Sequence, residues 1–318
     1  MTTEERYEII STVMLGHAVA DAVGVPAEFK SRESLAAHPI TDMTGYGTYN
    51  LPRGTWSDDT SMSLAALDSL KEGRVSLTEV MENFLLWYEK EEYNALGVTF
   101  DIGNACADAI RYFRDNRPAD PTECGGRGAY SNGNGSLMRI HPFSLYLFFT
   151  KSDPVSQIRL IEDASALTHA HRRSQIACGI YSFVLWEVLK RPEKASIHRG
   201  ISLAKEHYKN EKELDNFTRL WTNLENLPES EVKSTGYVVD TIEAAIWSIL
   251  TTKDYKSAVL RAVNLGSDTD TDTVAAICGG IAAALYGATS IPRAWLAALA
   301  RADYITALCR PAAENWTV

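Results

Sequence analysis

The sequence predicts an all-α protein, on three observations. Apolar residues recur at three- and four-residue steps almost throughout the chain. Val, Ile and Thr nowhere alternate with polar residues over a useful length between turn signals, so a sheet has no strands to be built from. Gly and Pro, 20 and 11 among 318 residues, punctuate the chain without dominating it. With 45% hydrophobic and 23% charged residues the chain carries enough apolar surface for a substantial core, which excludes disordered and collagen-like classes. One helical domain over residues 1–318 is the economical expectation.

The first helix is read from Tyr7, Ile10, Val13, Met14, His17, Ala18 and Asp21, which share a stripe; Gly24 and Pro26 read as its stop. Similar stripes predict helices over 62–72, 77–89, 99–114, 135–149, 155–166, 172–189 and 195–208, then 236–250, 254–264, 273–286 and 292–308. Three stretches, 31–53, 115–135 and 209–234, are rich in Gly, Pro, Asn or charge and read as loops. Two of them end at the most chemically loaded motifs of the chain, and no repeat of fixed period is present.

Charge and cysteine usage narrow the function classes. Thirty-one Lys plus Arg against 41 Asp plus Glu leave a net −10, the wrong sign for a general nucleic-acid binder. Cys106, Cys124, Cys178, Cys278 and Cys309 form no C-x-x-C pair and have no neighbouring His at zinc-ligand spacing, which points to reduced thiols. The segment Met1 to Arg6 has no basic region ahead of an apolar run, so no signal peptide is read. The apolar stretch Val274 to Tyr286 is glycine-interrupted and too short to span a bilayer. A cytoplasmic protein without a membrane partner is expected.

Two acidic motifs open helical runs. In Gly54-Thr55-Trp56-Ser57-Asp58-Asp59-Thr60, Ser57 or Asp58 serves as an N-cap, yet adjacent carboxylates repel and a hard cation relieves that repulsion. In Gly266 to Thr273 three Asp stand at alternate positions before a helix of small residues, more than a cap requires. An EF-hand register fails, because Thr273 stands where the turn Gly belongs and Gly279 where the bidentate Glu belongs. Together Ser57, Asp58, Asp59, Asp270, Asp272 and Thr273 supply four carboxylates and two hydroxyls. That oxygen set suits Mg²⁺ or Mn²⁺, two ions rather than one, provided the clusters meet in space.

Between them, Tyr130-Ser131-Asn132-Gly133-Asn134-Gly135-Ser136-Leu137-Met138-Arg139 combines glycines with a following helix start, a geometry suited to phosphate, although Asn-Gly is also an ordinary turn signal. His169 and His171 stand two residues apart and share no helical face, so a two-His metal site is disfavoured and ligand contact or capping is expected. Asp21 and Glu28 in Gly16 to Phe29 are candidate buried acids, and Trp56, Arg127 and Tyr130 are candidate cleft walls or core aromatics.

Taken in order, Gly16 to Glu28, Ser57 to Thr60, Asn134 to Arg139, Thr168-His169 and the late Asp-Thr-Asp-Thr resemble the ADP-ribosylglycohydrolases, a family that includes dinitrogenase reductase-activating glycohydrolase and the ADP-ribosyl-acceptor hydrolases. The likeness runs from about residue 13 to 287. It implies an orthogonally packed helical domain with two Mg²⁺ that hydrolyses the bond between ADP-ribose and an acceptor, most simply a mono-ADP-ribosylated protein side chain with arginine favoured. By the same resemblance Ser57, Asp58, Asp59, Asp270, Asp272 and Thr273 are the metal ligands, and Glu28, with Asp58 and Asp59, sits at the scissile bond. Ser131, Asn132, Gly133, Asn134, Gly135 and Ser136 hold the diphosphate, and His169 contacts ADP-ribose. The chain departs from the family in having three Asp-Thr units and Ser267 in place of a second Gly, so two registers compete; the helix side favours Asp270 and Asp272 over Asp268 and Asp270. The alternative is a non-catalytic ADP-ribose-binding or immunity-type partner, against which the intact carboxylates argue. A helical phosphohydrolase would need a His-Asp pair, and the sequence has none.

Overall fold

The computed structural model describes residues 1–266 and 270–317. Helix α1 (Thr3–Gly24) starts at Thr2, whose hydroxyl accepts from the Glu5 N–H while the Glu5 carboxylate accepts from the Thr2 N–H. It ends where Pro26 enters a 3₁₀ turn. Then follow α2 (Arg32–Ala37), α3 (Asp58–Leu70), α4 (Leu77–Lys90), α5 (Asn104–Asn116), α6 (His141–Thr150), α7 (Arg159–Ala166), α8 (Arg172–Lys190) and α9 (Lys194–His207). The chain closes with α10 (Thr218–Thr222), α11 (Val238–Leu250), α12 (Tyr255–Val263), α13 (Thr271–Tyr286), α14 (Arg293–Ala298) and α15 (Ala302–Asn315). Among the described residues there is no strand, only three isolated bridges, so the expected all-α class is observed.

The core is one continuous apolar cluster with α1 and α13 at its centre. They can lie side by side because small residues face each other. A Cβ on Gly279 would sit 2.3 Å from the Ala20 Cβ and 2.4 Å from the Gly16 carbonyl oxygen. At the end of α1 a Cβ on Gly24 would lie 2.3 Å from the Asp272 Cα, so the last turn of α1 rests on the first turn of α13. By length and composition Thr3–Ala27 passes for a membrane span, but 89% of its most apolar window is buried in the bundle.

Two expected helices differ, each for a local reason. The stripe over 135–149 becomes helical only at His141, since residues 134–140 turn tightly, with Met138 N–H on Asn134 O, and Pro142 then opens α6 where a missing N–H costs nothing. The stripe over 292–308 breaks between α14 and α15: Ala300 N–H bonds Gly54 O, and Arg301 takes the left-handed backbone at φ 52°. Both halves still bury apolar residues, so periodicity alone does not mark the break. The loop over 31–53 contains α2, capped by Ser31, and that over 209–234 contains α10 and several 3₁₀ turns.

Candidate active site

Asp21, wholly buried on α1, organises the first acidic motif. Its two oxygens each accept from the Ser57 N–H at 3.1 Å, and Oδ2 also accepts from the Thr60 N–H (3.1 Å) and hydroxyl (2.6 Å). Ser57 is thereby the N-cap of α3, its Oγ accepting from the Asp59 N–H. Asp58 and Asp59 fall in the first turn of α3, Asp272 and Thr273 in the first turn of α13, and the two turns meet where Thr273 Oγ1 donates to Asp59 Oδ1 at 3.1 Å. Carboxylate oxygens of Asp21, Asp59 and Asp272 lie within 4.8 Å of one another, and so do those of Glu28, Asp101 and Asp272. Asp272 belongs to both groups. Asp101 reaches the cluster from the loop before α5 on a left-handed backbone (φ 60°) and accepts from the Tyr49 hydroxyl at 2.5 Å.

Crowding acids in a dry site holds their protons on. Burial, followed by neighbouring carboxylates, pushes Asp58, Asp59 and Asp272 well above the ordinary range. Burial raises Glu28 to about 10, with Asp101 adding to it, and lifts Asp270 to about 6. Asp21 rises to about 7 by burial, opposed by its bonds from Thr60 and Ser57. Asp59 Oδ2, Asp272 Oδ2 and Glu28 Oε2 are buried with no hydrogen-bond partner among the described residues. Orphaned, mutually repelling oxygens are a donor set that fits a hard divalent cation.

Above this floor opens a cavity of about 380 Å³, walled on one side by Ser131, Gly133, Asn134 and Gly135 and backed by His169. The loop is strapped to the segment before α11: Val238 N–H bonds Asn132 O (2.9 Å) and Asn134 N–H bonds Gly236 O (3.0 Å). The Asn134 amide bridges to Thr241 Oγ1 and to Asp270 Oδ2, each at 3.2 Å, so the loop and the acidic floor share a side chain. Burial drives His169 down to about 3, which keeps its ring neutral.

The family model for ADP-ribosylglycohydrolase matches residues 2–317. The chain belongs to the ADP-ribosylglycohydrolase family. An ADP-ribosylarginine hydrolase, Tri1, of Serratia proteamaculans is 32% identical over 93% of this chain and 76% of its own length. An ADP-ribosyl-[dinitrogen reductase] glycohydrolase of Rhodospirillum rubrum is 29% identical over 90% and 88%. A solved structure titled ADP-ribosylglycohydrolase-related protein complex superposes with a TM-score of 0.81 at 27% identity, covering 99% of this chain and all of that one. This glycohydrolase is thus an enzyme that hydrolyses glycosyl linkages of ADP-ribose.

Within the glycohydrolase the sequence-derived residues divide. Glu28, Asp58, Asp270 and Thr273 line the cavity, and Ser57, Asp59 and Asp272 are buried at the same two helix starts. Asp268, the competing register, lies outside the described residues. Ser131, Gly133, Asn134, Gly135 and His169 line the cavity, whereas Asn132 and Ser136 do not. Asn132 turns its amide to Ala129 O, and Ser136 bonds Ser165 and Cys178 inside the core. Trp56 is no cleft wall: it is fully buried, with Nε1 donating to Ala300 O at 2.8 Å. Arg127 is exposed and donates to Thr122 O, Tyr130 does line the cavity, and His171 caps α8. Asp101 and Tyr49 had no place in the motif reading. The helix expected over 99–114 put Asp101 inside its first turn, whereas α5 begins only at Asn104 and leaves Asp101 in the loop before it.

Proposed function

We propose that this glycohydrolase removes ADP-ribose from mono-ADP-ribosylated protein side chains, arginine first among them, with two divalent cations, Mg²⁺ or Mn²⁺, held at the junction of α3 and α13. The carrying observation is the pair of carboxylate groups that share Asp272, with a buried unpartnered oxygen on each of Asp59, Asp272 and Glu28. Ser57, Asp58, Asp59, Asp270, Asp272 and Thr273 are the residues to hold the ions. Bound there, they supply charge to orient the ribose hydroxyls and a water.

The protein's own groups do the rest. Glycoside hydrolysis adds hydroxide to the anomeric carbon and a proton to the departing acceptor, through an oxocarbenium-like state. Glu28 and Asp101, whose side chains hydrogen-bond to each other, are the acid–base pair, and the Tyr49 hydroxyl holds Asp101 in place. The loop over Ser131 to Gly135 and His169 grip the diphosphate, and that remote binding fixes the sugar against the floor. Preference for arginine follows from charge. Seven carboxyl groups (Asp21, Glu28, Asp58, Asp59, Asp101, Asp270 and Asp272) crowd the floor. A cavity lined by acids with no Lys or Arg among its described lining residues attracts a cationic guanidinium acceptor over a neutral hydroxyl. A cytoplasmic location is supported by five free thiols, all buried.

The test measures ADP-ribose release from arginine- and serine-ADP-ribosylated peptides in Mg²⁺, in Mn²⁺ and in EDTA. Cation-dependent release, faster from arginine, is expected. Equal release in EDTA sinks the metal role, and serine preference sinks the charge argument.

A further inference from the structure

Arg139 stands in the tight turn that leads into α6 and is wholly buried, with its guanidinium 4.7 Å over the Phe84 ring. Nη1 donates to Ala164 O at 3.2 Å and Nη2 to Thr168 Oγ1 at 2.7 Å, while Nε has no partner among the described residues. Among the described residues no carboxylate pairs with it, and the Cys106 and Cys178 thiols beside it are kept protonated by burial. A permanent cation buried without a counter-ion is costly unless its field is used.

The hydrogen bonds show where it is used. Thr168 Oγ1, already accepting from Arg139, stands 2.9 Å from His169 Nδ1. Its one hydroxyl proton has two outlets, this imidazole nitrogen and the neighbouring Cys106 sulfur, and the nitrogen is much the better acceptor. With Nδ1 accepting, the ring proton sits on Nε2. That edge faces the cavity loop, where a Cβ built on Gly133 would come within 3.3 Å of Nε2.

We infer that Arg139 is a positioning residue. Through Thr168 it sets His169 as the Nε2–H tautomer, so that a neutral N–H is presented to a phosphate oxygen of the ligand, and its own buried charge adds positive potential behind the Ser131 to Gly135 loop. The ligand class, a nucleoside diphosphate sugar, rests on the function proposed above. The relay itself is a property of the free protein.

The experiment records long-range ¹H–¹⁵N spectra of ¹⁵N-histidine-labelled full-length protein at neutral pH, beside ADP-ribose binding and release of ADP-ribose from an ADP-ribosylated arginine peptide. Wild type is expected to show His169 protonated on Nε2 alone. Thr168→Val, which keeps the volume and removes the relay, should populate the Nδ1–H tautomer and weaken ADP-ribose binding roughly tenfold, raising KM more than it lowers kcat. Thr168→Ser should restore both to within about twofold. Arg139→Met carries the same expectation if it folds; Thr168→Val carries the test if it does not. A wild-type His169 protonated on Nδ1, or a Thr168→Val protein with unchanged tautomer and affinity, overturns the relay. An Nε2–H wild type that binds no ADP-ribose supports the relay and overturns the functional proposal instead.

Discussion

The floor and the wall of the cavity gather groups of opposite charge type. The floor, where α3 and α13 start, gathers carboxylates with no cationic side chain among the described lining residues. The wall presents loop backbone, a neutral His169 and, behind them, Arg139, which no carboxylate pairs among the described residues. Burial acts on both in the same direction, against charge, yet it leaves protons on the floor and removes them from the wall. The lesson is that each half is electrostatically incomplete by itself. In the function proposed above, the floor is completed by cations and the wall by an anion, and one ligand with a diphosphate beside a ribose spans the two.

The sharpest break of this contrast is Asp59→Asn, which removes a floor charge and keeps the shape. Turnover is expected to fall about 10³-fold or more with the helical circular dichroism unchanged. In EDTA the variant should melt higher than the wild type, because one repelling acid has gone. Calorimetry with and without Mn²⁺ reads both; a wild-type rate would remove the floor from the chemistry. The wall is broken by Gly135→Ala. The added Cβ would lie 2.8 Å from Cys106 Sγ and 2.9 Å from His169 Cε1, so the loop or the ring must move. ADP-ribose affinity should drop roughly tenfold while Mn²⁺ affinity holds, a split that isothermal titration resolves. Loss of both together would mean that the halves are one unit, joined through Asn134.

The third prediction sharpens the contrast through pH. Asp270 and Asp21 titrate near 6 and 7 in the folded protein, against 3.8 for an ordinary aspartate. Between those values the metal-free native state keeps protons that the unfolded chain has released, so stability is full below about pH 4 and falls as pH rises through 6 and 7. Melting temperature in EDTA should therefore decline by several degrees from pH 5 to 8, and saturating Mg²⁺ or Mn²⁺ should flatten the decline. A metal-free melting temperature that rises over this window would show that burial does not hold protons on Asp21 and Asp270 in the native state.

How much of this could be read from the chain depended on whether a feature is local. Ser57 to Asp59 and Asp270 to Thr273 were legible because each packs its ligand chemistry and a helix start into a few consecutive residues. The small residues of α13 likewise announced a closely packed helix, and the structure sets its Gly279 against Gly16 of α1. Trp56 was open to a cleft reading because an aromatic next to an acidic motif looks the same in either role; its hydrogen bond to Ala300 is made 244 residues away. The break between α14 and α15 is hidden for the same reason, since Ala300 must meet Gly54.

The sequence by itself determined the all-helical class, the two acidic helix starts and the glycine-bearing loop, because periodicity, capping and turn chemistry act over three to seven residues. Tertiary structure alone decided that Asp272 is shared between two carboxylate groups, that Asp101 joins them on Tyr49, and that Arg139 reaches His169 through Thr168. Those contacts join groups far apart along the chain, and their worth comes from a dry interior that exists only once the helices have packed.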